Sequence, residues 1–131
     1  MKIAFYLLVL GTFILIIIAG CDDTATGIDN TIIPYSNVSF AKYIEPVFQA
    51  KCANSGCHDP ETAAGGYDLS SWVGITNPRL IVKGDTSNSP LVWAIKRLPS
   101  VSGMPPYGYP ALTANQIYGI DAWIEEGAKN N

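Results

Sequence analysis

Ligating side chains are scarce in this chain of 131 residues: it has one histidine, His58, with two methionines and three cysteines. That scarcity excludes much. A structural zinc site usually takes four Cys or His ligands, and Cys52, Cys57 and His58 supply only three. Positive charge is also thin, with 8 Lys+Arg against 11 Asp+Glu and no basic cluster, so nothing supports nucleic-acid binding. Internal repeats are absent. Hydrophobic residues make up 48% of the chain, yet many sit in the first 20 positions, and the Gly-, Pro- and polar-rich remainder has few left for a core. A domain so limited in apolar burial is expected to need a buried cofactor or a covalent staple.

What is present begins at the N-terminus. Met1-Lys2 is followed by an almost unbroken apolar run from Ile3 to Ala19, the charge-then-apolar order of a secretory signal. Ile18-Ala19-Gly20-Cys21 resembles the lipobox of bacterial lipoprotein signals, which implies a lipid on the Cys21 thiol after cleavage. The other reading is an uncleaved membrane helix, for which 17 apolar residues are just sufficient. Both place the rest of the chain outside the cytoplasm, where cysteines can oxidise. The expected organisation is a signal peptide over 1–20, a lipid-anchored flexible tether over 21–38 and a domain over 39–131. The tether is expected because 22–38 is rich in Asp, Thr and Asn and lacks an amphipathic period.

The domain reads as all-α. Ser39 is a good N-cap, and Phe40, Ile44, Val47 and Phe48 form a helical stripe that Lys51 is expected to leave. Pro46 predicts a kink or early end. Residues 59–88 are Gly-rich and weakly periodic, with Leu69, Trp72, Val73 and Ile75 for a short apolar turn. Leu80-Ile81-Val82 is the one run with an extended look. A loop region so long in a small domain is expected to wrap something. Ser89-Pro90 opens a second helix with Leu91, Val92, Ile95 and Leu98 inward and Pro99 as its stop. A Pro/Gly loop over 99–112 carries Met104. Thr113 and Gln116 form a capping-box pattern opening a third helix, with Ile117, Ile120, Trp123 and Ile124 on one face and Gly127 at its end.

Chemistry concentrates in Cys52-Ala53-Asn54-Ser55-Gly56-Cys57-His58. A Cys-x-x-Cys-His run outside the cytoplasm is the attachment site of a c-type haem: two thiols add across the vinyl groups, and the adjacent histidine becomes the proximal iron ligand. Here the Cys57-His58 adjacency is kept, but four residues separate the cysteines instead of two. Asn54-Ser55-Gly56 is turn chemistry in which Gly56 can take a positive φ, so a bulge there is cheap. Competing readings are a Cys52–Cys57 disulfide, a three-ligand metal site, and a surface histidine beside a disulfide. Haem iron in electron-transfer cytochromes commonly carries Met opposite His. With Met1 removed alongside the signal, Met104 is the one remaining candidate, in a loop that Pro105-Pro106 stiffens. A gap-filling core methionine is the alternative.

Taken together, Phe40 with Ile44-Glu45-Pro46-Val47-Phe48, Gly56-Cys57-His58, Gly66-Tyr67-Asp68-Leu69-Ser70, Lys83-Gly84-Asp85, Ser89-Pro90-Leu91, Met104-Pro105-Pro106 and Trp123-Ile124-Glu125-Glu126-Gly127 resemble the small class I-type cytochrome c domains of exported bacterial proteins. The resemblance covers most of 40–131. It implies an all-α cytochrome c-like fold, three main helices and long loops wrapped around one covalent haem c. It further implies haem thioethers at Cys52 and Cys57, proximal iron at His58 and distal iron at Met104.

The function this predicts is a membrane-tethered electron carrier, not an enzyme, passing single electrons between extracytoplasmic donor and acceptor proteins. Two other classes stay open at this stage. One is an open-site haem protein, peroxidase or gas sensor, if Met104 does not bind iron. The other is a haem-free binding module closed by a Cys52–Cys57 disulfide. Tyr67, Trp72, Trp93 and Trp123 are the expected aromatic pocket lining, and Arg79, Lys83 and Arg97 the candidate partners for haem carboxylates.

Overall fold

The computed structural model describes residues 24–131, so the expected signal segment and Cys21 lie outside the described residues. Among the described residues the fold is all-α: α1 Thr24–Asn30, α2 Glu45–Lys51, α3 Trp72–Ile75, α4 Pro90–Ile95 and α5 Ala114–Glu125. The sole β pairing among them is an isolated bridge between Val82 and Asp85. Leu80-Ile81-Val82 is therefore a turn and not a strand; Ser89, fully buried, holds it by accepting the Val82 N–H at 2.9 Å and donating to the Asp85 carbonyl at 2.7 Å. No helix of the described residues is long and apolar enough to cross a membrane.

Ser39 caps its helix as its side chain predicts, accepting the Lys42 N–H at 3.3 Å. The first turn, Phe40–Ile44, is π-helical, with the Glu45 N–H donating to the Phe40 carbonyl. Pro46 accounts for that wide turn: it has no N–H, and its ring crowds the carbonyl four residues back. One extra residue in the preceding turn relieves the clash. The expected kink or early stop is thus replaced by a slip upstream, and α2 runs on to Lys51.

Phe40, Ile44, Val47 and Phe48 are all buried, and they pack on Ile120, Trp123 and Ile124 of α5. Phe40 and Trp123 lie 5.5 Å apart between ring centroids, within the range of favourable aromatic pairs. Helix α5 is closed at both ends. Thr113 and Gln116 complete the capping box. Beyond Glu126, Gly127 at φ +95° lets the Ala128 N–H reach back to the Trp123 carbonyl at 2.9 Å. The predicted second helix is shorter than expected: Arg97, at φ +56°, turns the chain after Ile95, and Leu98 is left 41% exposed.

Residues 24–38 differ most from expectation. Ile28, Ile33 and Val38 are bonded to side chains near the C-terminus. Ile33 and Val38 are each 1% exposed. The Asn115 side chain brackets Ile33, accepting its N–H at 2.8 Å and donating to its carbonyl at 3.0 Å. The Glu126 carboxylate takes the N–H groups of Asn37 and Val38. After α1 the strap has no period of its own because the Asn115 and Glu126 side chains bond its backbone at Ile33, Asn37 and Val38.

Gly119 makes room for the strap: a Cβ there would lie 2.5 Å from Ile33 Cγ2. Gly119→Ala should gain up to ~1 kcal/mol in helix propensity yet lose about 1–3 kcal/mol to overpacking. A net fall in the urea midpoint at unchanged m-value is expected. A midpoint equal to or above that of the parent would show that Ile33 is not seated against α5.

Candidate cofactor cavity

Helix α2 delivers the chain to Cys52, and the loop that follows is built from its own backbone. The Cys57 N–H donates to the Asn54 carbonyl at 2.9 Å, and the His58 N–H reaches the Cys52 carbonyl at 3.2 Å, closing a ring. Gly56 takes φ +82°, the left-handed conformation that favours glycine. Its N–H donates to the Asp59 carboxylate at 2.8 Å. Asp59 also accepts from Thr62 and Glu61, and these bonds, led by the one from Thr62, hold its carboxyl below the usual carboxylate range. The four-residue spacing is absorbed by an ordered turn.

His58 is fixed at two levels. Its carbonyl accepts the Leu69 N–H at 2.8 Å, and its ring Nδ1 lies 3.1 Å from the Tyr67 carbonyl. A carbonyl can only accept, so this bond requires the proton on Nδ1, and in the neutral ring Nε2 then carries the free lone pair. Met104 is hung from α4 by its N–H on the Ala94 carbonyl at 2.9 Å. The Arg97 guanidinium donates to the Pro105 carbonyl and stacks on Tyr107 at 4.4 Å.

Cys52, Cys57, His58 and Met104 line the same cavity, of about 360 Å³. That volume falls in the range of small-molecule and cofactor sites. Leu69, Leu80, Leu91, Ile95 and Pro105 supply much of the remaining wall. The long 59–88 segment borders this space, with Ala64, Tyr67, Leu69 and Leu80 in its wall. Both thiols are free. Burial pushes the Cys52 thiol up to about 12, against the opposing charge of Lys51. Among the described residues no group of three or more His, Cys, Asp or Glu side chains is placed to hold a metal ion. A ligand held here would meet two thiols, one imidazole, one thioether and a largely dry wall.

The comparisons bear on the same stretch. Residues 55–108 match the family described as Planctomycete cytochrome C. This part of the chain is a cytochrome-c-like domain. The cytochrome-c-like stretch contains Cys57, His58 and Met104 and starts three residues after Cys52. Proteins of the cytochrome c family are generally electron carriers and not catalysts, and the all-α domain is consistent with such a role. No curated protein and no solved structure matches the chain.

Several expected lining residues stand elsewhere. Of the aromatics named from the sequence, Tyr67 lines the cavity; Trp72, Trp93 and Trp123 do not. Trp72 donates to the Ala128 carbonyl under the Lys83 ammonium, Trp93 donates to Ser87, and Trp123 is in the core. Arg79, Lys83 and Arg97 are not in the wall either. The cation that is there is Lys51, 5% exposed. Its place on the stripe after Phe48 was the available signal, and its charge made it read as a residue leaving the apolar face.

With both thiols free, Cys52 gives a pH dependence of defined sign. The unfolded thiol ionises near 9.0 and the folded one near 12, so the unfolded state gains ionisation first. Stability should be fully present below 9.0 and fall as pH climbs toward 12, by an amount on the order of a few kcal/mol. In urea titrations Cys52→Ser should flatten this alkaline slope; parallel slopes in the two proteins would remove Cys52 as its source.

Proposed function

We propose that this protein is a monohaem c-type cytochrome that carries single electrons between extracytoplasmic redox partners, lipid-anchored to a bacterial membrane through Cys21. The observation that carries the reading is the gathering of Cys52, Cys57, His58 and Met104 around one apolar cavity, with His58 Nδ1 held by the Tyr67 carbonyl. The residues present fit a covalently held haem. The thiols are free to form thioethers, and the Nδ1 bond leaves Nε2 as the nitrogen available to a metal, the usual state of a ligating histidine.

When bound, a haem supplies a one-electron iron couple. The chain's own residues decide how that couple is used. Cys52 and Cys57 would hold the cofactor through thioethers, so that it could not dissociate. His58 and Met104 would be the residues that bind its iron, a His/Met pair that favours electron transfer over catalysis. The Tyr67 carbonyl keeps the imidazole in one tautomer and orientation and raises its basicity. The apolar wall from Leu69, Leu80, Leu91 and Ile95 keeps water away, and with methionine as ligand this favours a relatively positive potential.

The N-terminal pattern supports the anchored location. Ile28 and Asp29, seven and eight residues beyond Cys21, are bonded to Gln116 and Lys51, so a lipid on Cys21 would hold the domain close to the bilayer.

Protein made with a cytochrome c maturation system should stain for haem on a denaturing gel and show a Met–iron charge-transfer band in the ferric state. Met104→Ala should abolish the band and lower the midpoint potential on the order of 0.1 V, a fraction of the ~0.8 V that axial ligands command. Cys52→Ser should retain haem through one thioether with a shifted spectrum. A parent protein without covalent haem ends this reading, and a high-spin ferric parent would instead favour an open-site haem protein.

A further inference from the structure

Three segments that are distant in sequence meet at the Lys51 ammonium. Lys51 stands beside Cys52 in the cavity wall, and its side chain is 1% exposed. The ammonium donates to the Asp29 carboxylate on α1 and to the Ala111 carbonyl, 2.6 Å away, at the far end of the Met104 loop. Asp29 in turn accepts from Gln116 Nε2 on α5 at 3.1 Å, and Gln116 Oε1 takes the Thr113 N–H at 2.9 Å. The Lys51 hydrogen bond, more than that from Gln116, holds the Asp29 carboxyl below its ordinary range.

A lysine so deeply buried is rare unless it is paired, and an apolar residue of the same length would fill the space without the desolvation penalty. What the charge adds is a directional tie. The 99–112 loop is otherwise fastened on the α4 side, where Met104 hangs from Ala94 and Pro105 from Arg97. At its other side Ala111 is held by Lys51. We infer that Lys51 is a positioning residue for Met104: the Asp29–Lys51–Ala111 chain clamps the distal loop over the cavity and makes the N-terminal strap part of the site. The inference rests on the haem reading for its spectroscopic consequence, but the clamp itself is a property of the polypeptide.

The test uses the full chain, parent and Lys51→Met, with Asp29→Asn as the second variant. Hydrogen exchange reads the loop directly. In Lys51→Met, exchange over residues 101–111 should rise roughly tenfold, the scale set by losing one charge-assisted hydrogen bond, while residues 116–124 of α5 keep their protection. In the haem-bound protein the Met–iron band should weaken and imidazole should bind to the ferric iron roughly tenfold more tightly, at temperatures where the circular dichroism is unchanged. Asp29→Asn should shift both readouts in the same direction by less, because the amide can still accept from Lys51. A residue that served only stability would lower the melting temperature and leave the band and imidazole affinity alone; that result overturns the inference. So does loop exchange equal to the parent's in both variants. Parent protein without haem would defeat the proposed function, while selective loosening of 101–111 would still establish the clamp.

Discussion

Trp123 and Phe40 set the frame from which the rest of the structure hangs. Both are buried, and their contact locks the start of the first long helical segment to the last turn of α5. Around it, the backbone of residues 40–41 and the side chain of Ser39 bond to Asn131, and Trp123 Nε1 donates to the Lys129 carbonyl at 2.9 Å. With α5 fixed, the strap lies along it through Ile33, Asn115 and Gly119. The π turn upstream of Pro46 then aims α2 so that Cys52 emerges at the cavity wall.

The cavity follows from a shortage of core. Trp123, Phe48, Ile75 and their neighbours fill one side of the domain, but Leu69, Leu80, Leu91 and Ile95 also turn toward a space that no side chain fills. Apolar walls around an unfilled volume lose dispersion contacts, so such a volume is expected where another group completes the packing. The groups at its edge are chemically selective. Two thiols, an imidazole whose Nδ1 proton is committed to a carbonyl, and a thioether in a proline-stiffened loop are soft or nitrogen donors, poorly suited to a hard cation.

Much of this was legible in the residues, for local reasons. The capping box at Thr113 and Gln116, the Ser39 cap, the Pro90 start and the Gly127 stop act within a few positions, and each formed where its chemistry predicts. The turn at Asn54-Ser55-Gly56 belongs to the same class. Errors arose where a long-range partner overrode a local rule. The strap lacked any period because its bonds come from Asn115 and Glu126, more than 80 residues away. Lys51 looked like the end of an apolar face because charge usually marks solvent. Asp29 and Ala111, far along the chain, make its burial tolerable. Residue type alone points Trp72, Trp93 and Trp123 to the cavity, but their indole N–H groups donate to backbone carbonyls elsewhere.

By itself the sequence determined the helical class, the Ser39, Pro90 and Thr113 helix starts, the Gly127 stop, and the short inventory of donors: one histidine, two cysteines close to it and one methionine in a proline loop. Those are properties of residue identity and near-neighbour spacing, which no tertiary arrangement can alter. Only the tertiary structure decided that the four donors border one space, that the Tyr67 carbonyl selects the tautomer of His58, and that Ile33 and Val38 are buried against the domain. Each of these depends on contacts between residues distant along the chain, whose distances are set by how α5 packs and not by any local preference.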